Sequence, residues 1–108
     1  MTPEAKVKLK IHAALKASGA YAVNYIGGQY AKSGTPDILA CLDGTFIGIE
    51  AKAGSNKPTA LQIQSLSQID KAGGLALVIN EKNLDYLTLC LSNIRSLQPN
   101  ISNYTEFT

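Results

Sequence analysis

The sequence has no tryptophan, one histidine, one methionine and two cysteines in 108 residues. Cys41 and Cys90 stand in apolar surroundings with neither CxxC nor Cys/His spacing, so neither a structural zinc site nor a disulfide framework is expected. Both are read as small buried hydrophobes. No apolar run approaches the roughly 20 residues that cross a bilayer. The first ten residues carry lysines and a proline where a secretory leader would have its apolar stretch. These absences make the expected protein soluble and cytoplasmic, with no membrane partner. Neither sign of charge dominates, since ten basic residues meet eight acidic ones, and a net +2 does not by itself imply nucleic acid. The distribution is less even. Residues 1–57 hold seven lysines against four acids, a net +3, so any contact with phosphates is expected from that half.

What is present is an ordinary globular pattern, 45% hydrophobic, of a length that closes one core. Thr2-Pro3-Glu4 reads as a helix start, with Thr2 as cap and Pro3 at the first helical position. Val7, Ile11, Ala14, Leu15 and Ser18 follow at helical spacing, and Gly19 ends the helix. Glu4 lies on the edge of that stripe, an odd place for a carboxylate unless it faces a cation. Tyr21 to Ile26 reads as a strand, and Gln29 to Pro36 as a polar loop. Thr59 caps a helix carrying Leu61, Ile63, Leu66 and Ile69, which ends near Gly73-Gly74. Leu75 to Ile79 reads as a buried strand, and Asn80 or Asn83 starts a last helix to about Ile94 with Leu84, Leu87, Leu91 and Ile94 inward. The whole is one domain over 1–108, with a peripheral tail from about 97. Its order is α-β-β-β-α-β-α, an α/β fold with a mixed sheet flanked by helices on both faces.

Ile38 to Leu42 and Thr45 to Lys52 are joined by Asp43-Gly44, the signal of a two-residue type I′ hairpin. If those two residues form the turn, Leu42 faces Thr45, and every facing pair has residue numbers adding to 87. Asp37 and Glu50 meet that condition, which puts their Cβ atoms about 5 Å apart on one face. Two carboxylates so placed repel each other unless a counter-charge intervenes. Lys52 projects on the same face about 7 Å further along the strand. A hard divalent ion is the better neutraliser, because Mg²⁺ takes one or two carboxylates and completes its shell with water and phosphate oxygens. Gly48, two residues before Glu50, is expected to leave room there for a ligand. Against this stands the bland reading, in which P-D and E-x-K occur by chance on a solvated strand.

Ser33-Gly34-Thr35-Pro36-Asp37-Ile38, then Ile47-Gly48-Ile49-Glu50-Ala51-Lys52, then Pro58-Thr59-Ala60-Leu61-Gln62 resemble the VRR-NUC branch of the PD-(D/E)XK nucleases, in the stand-alone form of bacteria and phages. The resemblance runs from about Glu4 to Leu91. It implies a restriction-endonuclease-like core and a Mg²⁺- or Mn²⁺-dependent endonuclease hydrolysing DNA, with branched structures such as four-way junctions as the expected substrate. It implies Asp37, Glu50 and the Ala51 carbonyl as metal ligands, Lys52 as the catalytic lysine, Glu4 as a further acid that binds metal directly or through water, and Gln62 as a group that positions water or Lys52. Relatives often carry arginine in the loop where this chain has Gln29-Tyr30-Ala31-Lys32, so DNA contact there falls to Lys32, with Lys57 and Lys8 as further basic contacts. Bare domains of this family tend to form homodimers, and Leu9, Ile101, Tyr104 and Phe107 are the apolar residues a twofold partner would cover. The alternative is a non-catalytic DNA-binding or assembly module that keeps the fold. His12, off the buried stripe, is read as a surface residue, and the five tyrosines mainly as packing residues.

Overall fold

A computed structural model of the chain describes residues 1–27 and 32–97. It contains α1 (Pro3–Ser18), β1 (Tyr21–Asn24), β2 (Ile38–Leu42), β3 (Thr45–Ala51), α2 (Ala60–Lys71), β4 (Leu75–Ile79) and α3 (Leu84–Leu97). The four strands form one sheet in the order β1-β2-β3-β4. The first three are antiparallel and β4 runs parallel to β3, the mixed sheet that a helical crossover between β3 and β4 requires.

Local chemistry sets the element ends. The Thr2 hydroxyl accepts the Ala5 N–H at 3.1 Å, and α1 closes on Gly19 in the left-handed region at φ 85°. Asp43 and Gly44 have φ of 49° and 81°, the two positive angles of a type I′ turn. The ladder that follows pairs Leu42 with Thr45 and runs back to Ile38 opposite Ile49. The first strand ends at Asn24, earlier than the sequence suggested. Its ladder with β2 nevertheless gains one more bond, from the Tyr25 N–H to the Asp37 carbonyl at 2.7 Å.

Strand alternation then divides the molecule into two layers. Ile38, Ala40, Leu42, Ile47, Ile49 and Ala51 form one face, buried with Val7, Ile11 and Leu15 of α1 and Leu87 and Leu91 of α3. Each large aliphatic side chain removed from water there contributes about 1.5–3 kcal/mol. On the other face, α2 packs over β3 and β4. The sheet-facing stripe of α2 takes only part of its apolar set. Leu61 and Ile63 are exposed, at 53% and 55%, and the inward positions are Gln62, Ser65, Leu66 and Ile69. The helix follows its cap, Thr59, and that phase turns Gln62 inward at the expense of two larger apolar residues.

Other expectations are also revised. Cys41 is exposed because it points to the sheet face that α2 leaves open, and Tyr21, at 74%, stands beside it in the β1–β2 register. Tyr86 is exposed on α3, so neither of these two tyrosines packs into the core. His12 is half-buried, with Nε2 2.7 Å from Asn24 Oδ1. Leu9 is 57% exposed, as its place off the stripe requires. Gln29, Tyr30, Ala31, Ile101, Tyr104 and Phe107 lie outside the described residues. Among the described residues no helix is long and apolar enough to cross a membrane.

Candidate metal and catalytic centre

The centre forms where β2 begins and β3 ends. Asp37 immediately precedes β2, and its position is fixed from both sides. Its carbonyl takes the Tyr25 N–H, and its Oδ2 takes the Ala51 N–H at 2.9 Å. Ala51, expected to serve through its carbonyl, thus engages Asp37 through its N–H.

The loop before Asp37 is seated by two close approaches. Gly34, at φ 82°, lies so near the Leu61 carbonyl that a Cβ there would collide with backbone. Pro36, fully buried, packs over Gly48, where an added Cβ would meet Pro36 Cγ at 3.2 Å and Ile69 Cδ1 at 2.6 Å. Gly48 therefore does not open space for a ligand. It is the floor on which Pro36 and Ile69 rest, and its missing side chain lets the loop and α2 come down onto β3.

Glu50 is 2% exposed. Its Oε1 accepts the Gln62 Nε2–H at 3.0 Å and lies 3.7 Å from Lys52 Nζ. The Gln62 amide is used at both ends, since its Oε1 accepts the Thr59 N–H at 2.8 Å and completes a capping box with the Thr59 hydroxyl. Gln62 thus holds Glu50 rather than Lys52. Glu50 Oε2 is buried with no hydrogen-bond partner among the described residues.

Burial, then the Asp37 carboxyl within hydrogen-bonding reach, push the Glu50 carboxyl up to about 7. Glu4 adds to the rise and Lys52 opposes it. Where both carboxyls are ionised, Glu50 is a buried anion beside a second anion.

The chain matches no family model and no curated protein sequence.

Lys8, expected to face DNA, lies inside this constellation. Its Nζ is 3.7 Å from Asp37 Oδ1 and 3.9 Å from Glu4 Oε2. The i,i+4 spacing of Glu4 and Lys8 on α1 was the available sequence signal for that pairing. The other basic candidates stay apart. Lys32 is exposed and donates to Gln68 Oε1 at 3.0 Å, and Lys57 is exposed in the loop before α2. Sequence reasoning also missed Glu81, whose carboxylate accepts the Gly54 N–H at 2.9 and 3.2 Å and ties the loop after Lys52 to the loop after β4. No periodicity announces a bond between two loops. A cleft of about 450 Å³ beside α2, lined by Pro36, Leu39, Phe46 and Ile69 among others, contains none of the acids.

The donor set suits a divalent cation of the Mg²⁺ kind. Asp37 and Glu50 are paired hard-oxygen donors, and the orphaned Glu50 Oε2 is an acceptor in want of a partner. Among the described residues no group of three acidic, histidine or cysteine side chains stands ready to hold an ion. One or two carboxylates suffice for Mg²⁺, with water and substrate oxygens supplying the rest.

Proposed function

We propose that the chain is a Mg²⁺- or Mn²⁺-dependent endonuclease with a restriction-endonuclease-like core of the VRR-NUC kind, hydrolysing phosphodiester bonds in DNA. The observation that carries this reading is the buried Glu50, paired with Asp37 and flanked by Lys52, with one oxygen unpartnered. A buried carboxylate beside a second, partly exposed one is costly unless something cationic offsets their repulsion.

In this reading Asp37 and Glu50 hold the ion, with the Ala51 carbonyl as a further ligand by resemblance, and Glu4 acts at most through water. The ion supplies a Lewis acid for a phosphoryl oxygen and lowers the pKa of a bound water. Lys52, on the same strand as Glu50, orients the attacking water and stabilises charge growing on the phosphoryl oxygens. Gln62 locks the Glu50 rotamer so that its free oxygen stays aimed at the centre. Lys32 and Lys57, exposed on flanking loops, contact the DNA backbone. A domain of this size has little surface for reading bases, which favours branched DNA recognised by shape, such as a four-way junction.

Symmetric cutting of a junction calls for two centres, hence a homodimer. Of the four apolar residues assigned to it, Leu9 falls among the described residues and is exposed. Sedimentation at micromolar concentration is expected to give twice the 11.5 kDa chain mass. A monomer throughout would move the substrate to nicks or flaps.

Incubation with duplex, flap and four-way junction DNA, with Mg²⁺, Mn²⁺ or chelator, tests the main reading. Cleavage that needs the metal and is lost in Asp37→Asn is the expected result. DNA binding without cleavage under every condition would replace it with the non-catalytic DNA-binding or assembly module.

A further inference from the structure

The four carboxylate oxygens of Asp37 and Glu50 are not equivalent. Asp37 Oδ2 is held by the Ala51 N–H, a fixed part of the sheet. Glu50 Oε1 is held by Gln62 and neighboured by Lys52, and Glu50 Oε2 is bare. Asp37 Oδ1 has an ammonium beside it, Lys8 Nζ at 3.7 Å, which also reaches Glu4 at 3.9 Å. Two oxygens are thus committed to the protein, one has no hydrogen-bond partner among the described residues, and one faces a side-chain cation.

We infer that Lys8 is a built-in counter-ion of this centre, a positioning residue that stands in for the divalent cation on Asp37 and has to be displaced when the cation binds. The inference rests on the metal-centre reading above. It goes beyond that reading by giving Lys8, rather than the resting acids alone, control of metal affinity.

The Lys8 side chain comes from α1, not from the sheet, and is 34% exposed, so a change of rotamer moves the ammonium without disturbing β2 or β3. Its stem is flexible and its head is a strongly hydrated point charge, which leaves a contact at ion-pair distance at little cost. An ammonium and a divalent cation on neighbouring oxygens repel each other, and this is strongest where water is partly excluded. Glu4, exposed by 41% on the same face, gives the departing ammonium a place to stay paired. The protein therefore folds with its acids partly neutralised, and the site opens to a metal only against the Lys8 contact.

The test measures binding without turnover. Titration calorimetry with Mn²⁺, at low ionic strength and in the absence of DNA, is run on the wild type and on Lys8→Gln, Lys8→Arg and Lys6→Gln. Lys6 is exposed on the same helix and removes an equal charge without an ion pair to Asp37, so it reports the effect of net charge alone. Lys8→Gln is expected to bind Mn²⁺ about five- to tenfold more tightly. Lys8→Arg should restore wild-type affinity, and Lys6→Gln should change it less than twofold. In the same samples without metal, the melting temperature of Lys8→Gln should fall and that of Lys6→Gln should not. Equal or weaker Mn²⁺ binding by a folded Lys8→Gln overturns the counter-ion role while leaving the metal centre standing. An equal gain in Lys6→Gln also overturns it, by reducing the effect to bulk charge. Absence of Mn²⁺ binding in the wild type removes both the centre and this inference.

Discussion

Gln62 and Glu50 are joined by a 3.0 Å hydrogen bond, and the same Gln62 side chain closes the capping box of α2 on Thr59. One amide therefore couples the start of a helix to the orientation of a buried acid. Gln62→Ala is expected to cost about 1–2 kcal/mol of stability, part from the lost cap and part from the second Glu50 oxygen left unpaired. Chemical denaturation checks the first effect. Cleavage should fall as well, and Gln62→Glu should restore the cap but not cleavage, since it sets a third anion beside Glu50.

Lys52 is separated from the acids in role. Lys52→Ala should reduce cleavage by at least about a hundredfold while metal still binds, because the lysine serves charge that appears only in the transition state. Calorimetry alongside a cleavage assay reads both. Loss of metal affinity together with activity would make Lys52 a structural counter-charge for Glu50.

The raised Glu50 carboxyl has a consequence for stability. In the unfolded chain its pKa is 4.5 and in the folded metal-free protein about 7, so folding favours the protonated form. Raising the pH from 4.5 through 7 ionises the unfolded state first, and the metal-free protein loses stability across that window, on the order of 2 kcal/mol. Glu50→Gln, which cannot ionise, should flatten this fall and melt higher than the wild type at pH 8 without metal. Saturating Mg²⁺ should reverse the order by stabilising only the wild type. Thermal melts at pH 5 and pH 8 decide it; parallel curves for the two proteins would contradict the assignment.

Gly48→Ala tests the packing of the loop. Its new Cβ would stand 2.6 Å from Ile69 Cδ1 and 3.2 Å from Pro36 Cγ. A destabilisation of about 1–3 kcal/mol is expected, with part recovered in Gly48→Ala/Ile69→Val, where the nearest methyl is gone. Activity should fall in the single variant, because Pro36 carries Asp37. A neutral Gly48→Ala would reinstate the view that this position borders open space.

Much of the architecture was legible in the residues because it rests on local rules. Asp43-Gly44 dictated a type I′ turn, the turn dictated the register from Leu42 opposite Thr45 to Ile38 opposite Ile49, and the next step of that register brings Asp37 to Glu50. Thr2, Gly19 and Thr59 marked helix ends through short-range hydrogen bonds, and α1 and α3 advertised their buried stripes by spacing. The tertiary structure decided whatever depends on residues far apart in the chain. It turned Gln62 inward and left Leu61 and Ile63 in water, because the cap fixes the phase of α2 and the space above β3 is narrow at Gly48. It exposed Cys41, since no helix covers that part of the sheet. It drew Lys8 from α1 onto Asp37, 29 residues away in sequence, a pairing that a charge count could suggest but only the packing of helix against strand end could select.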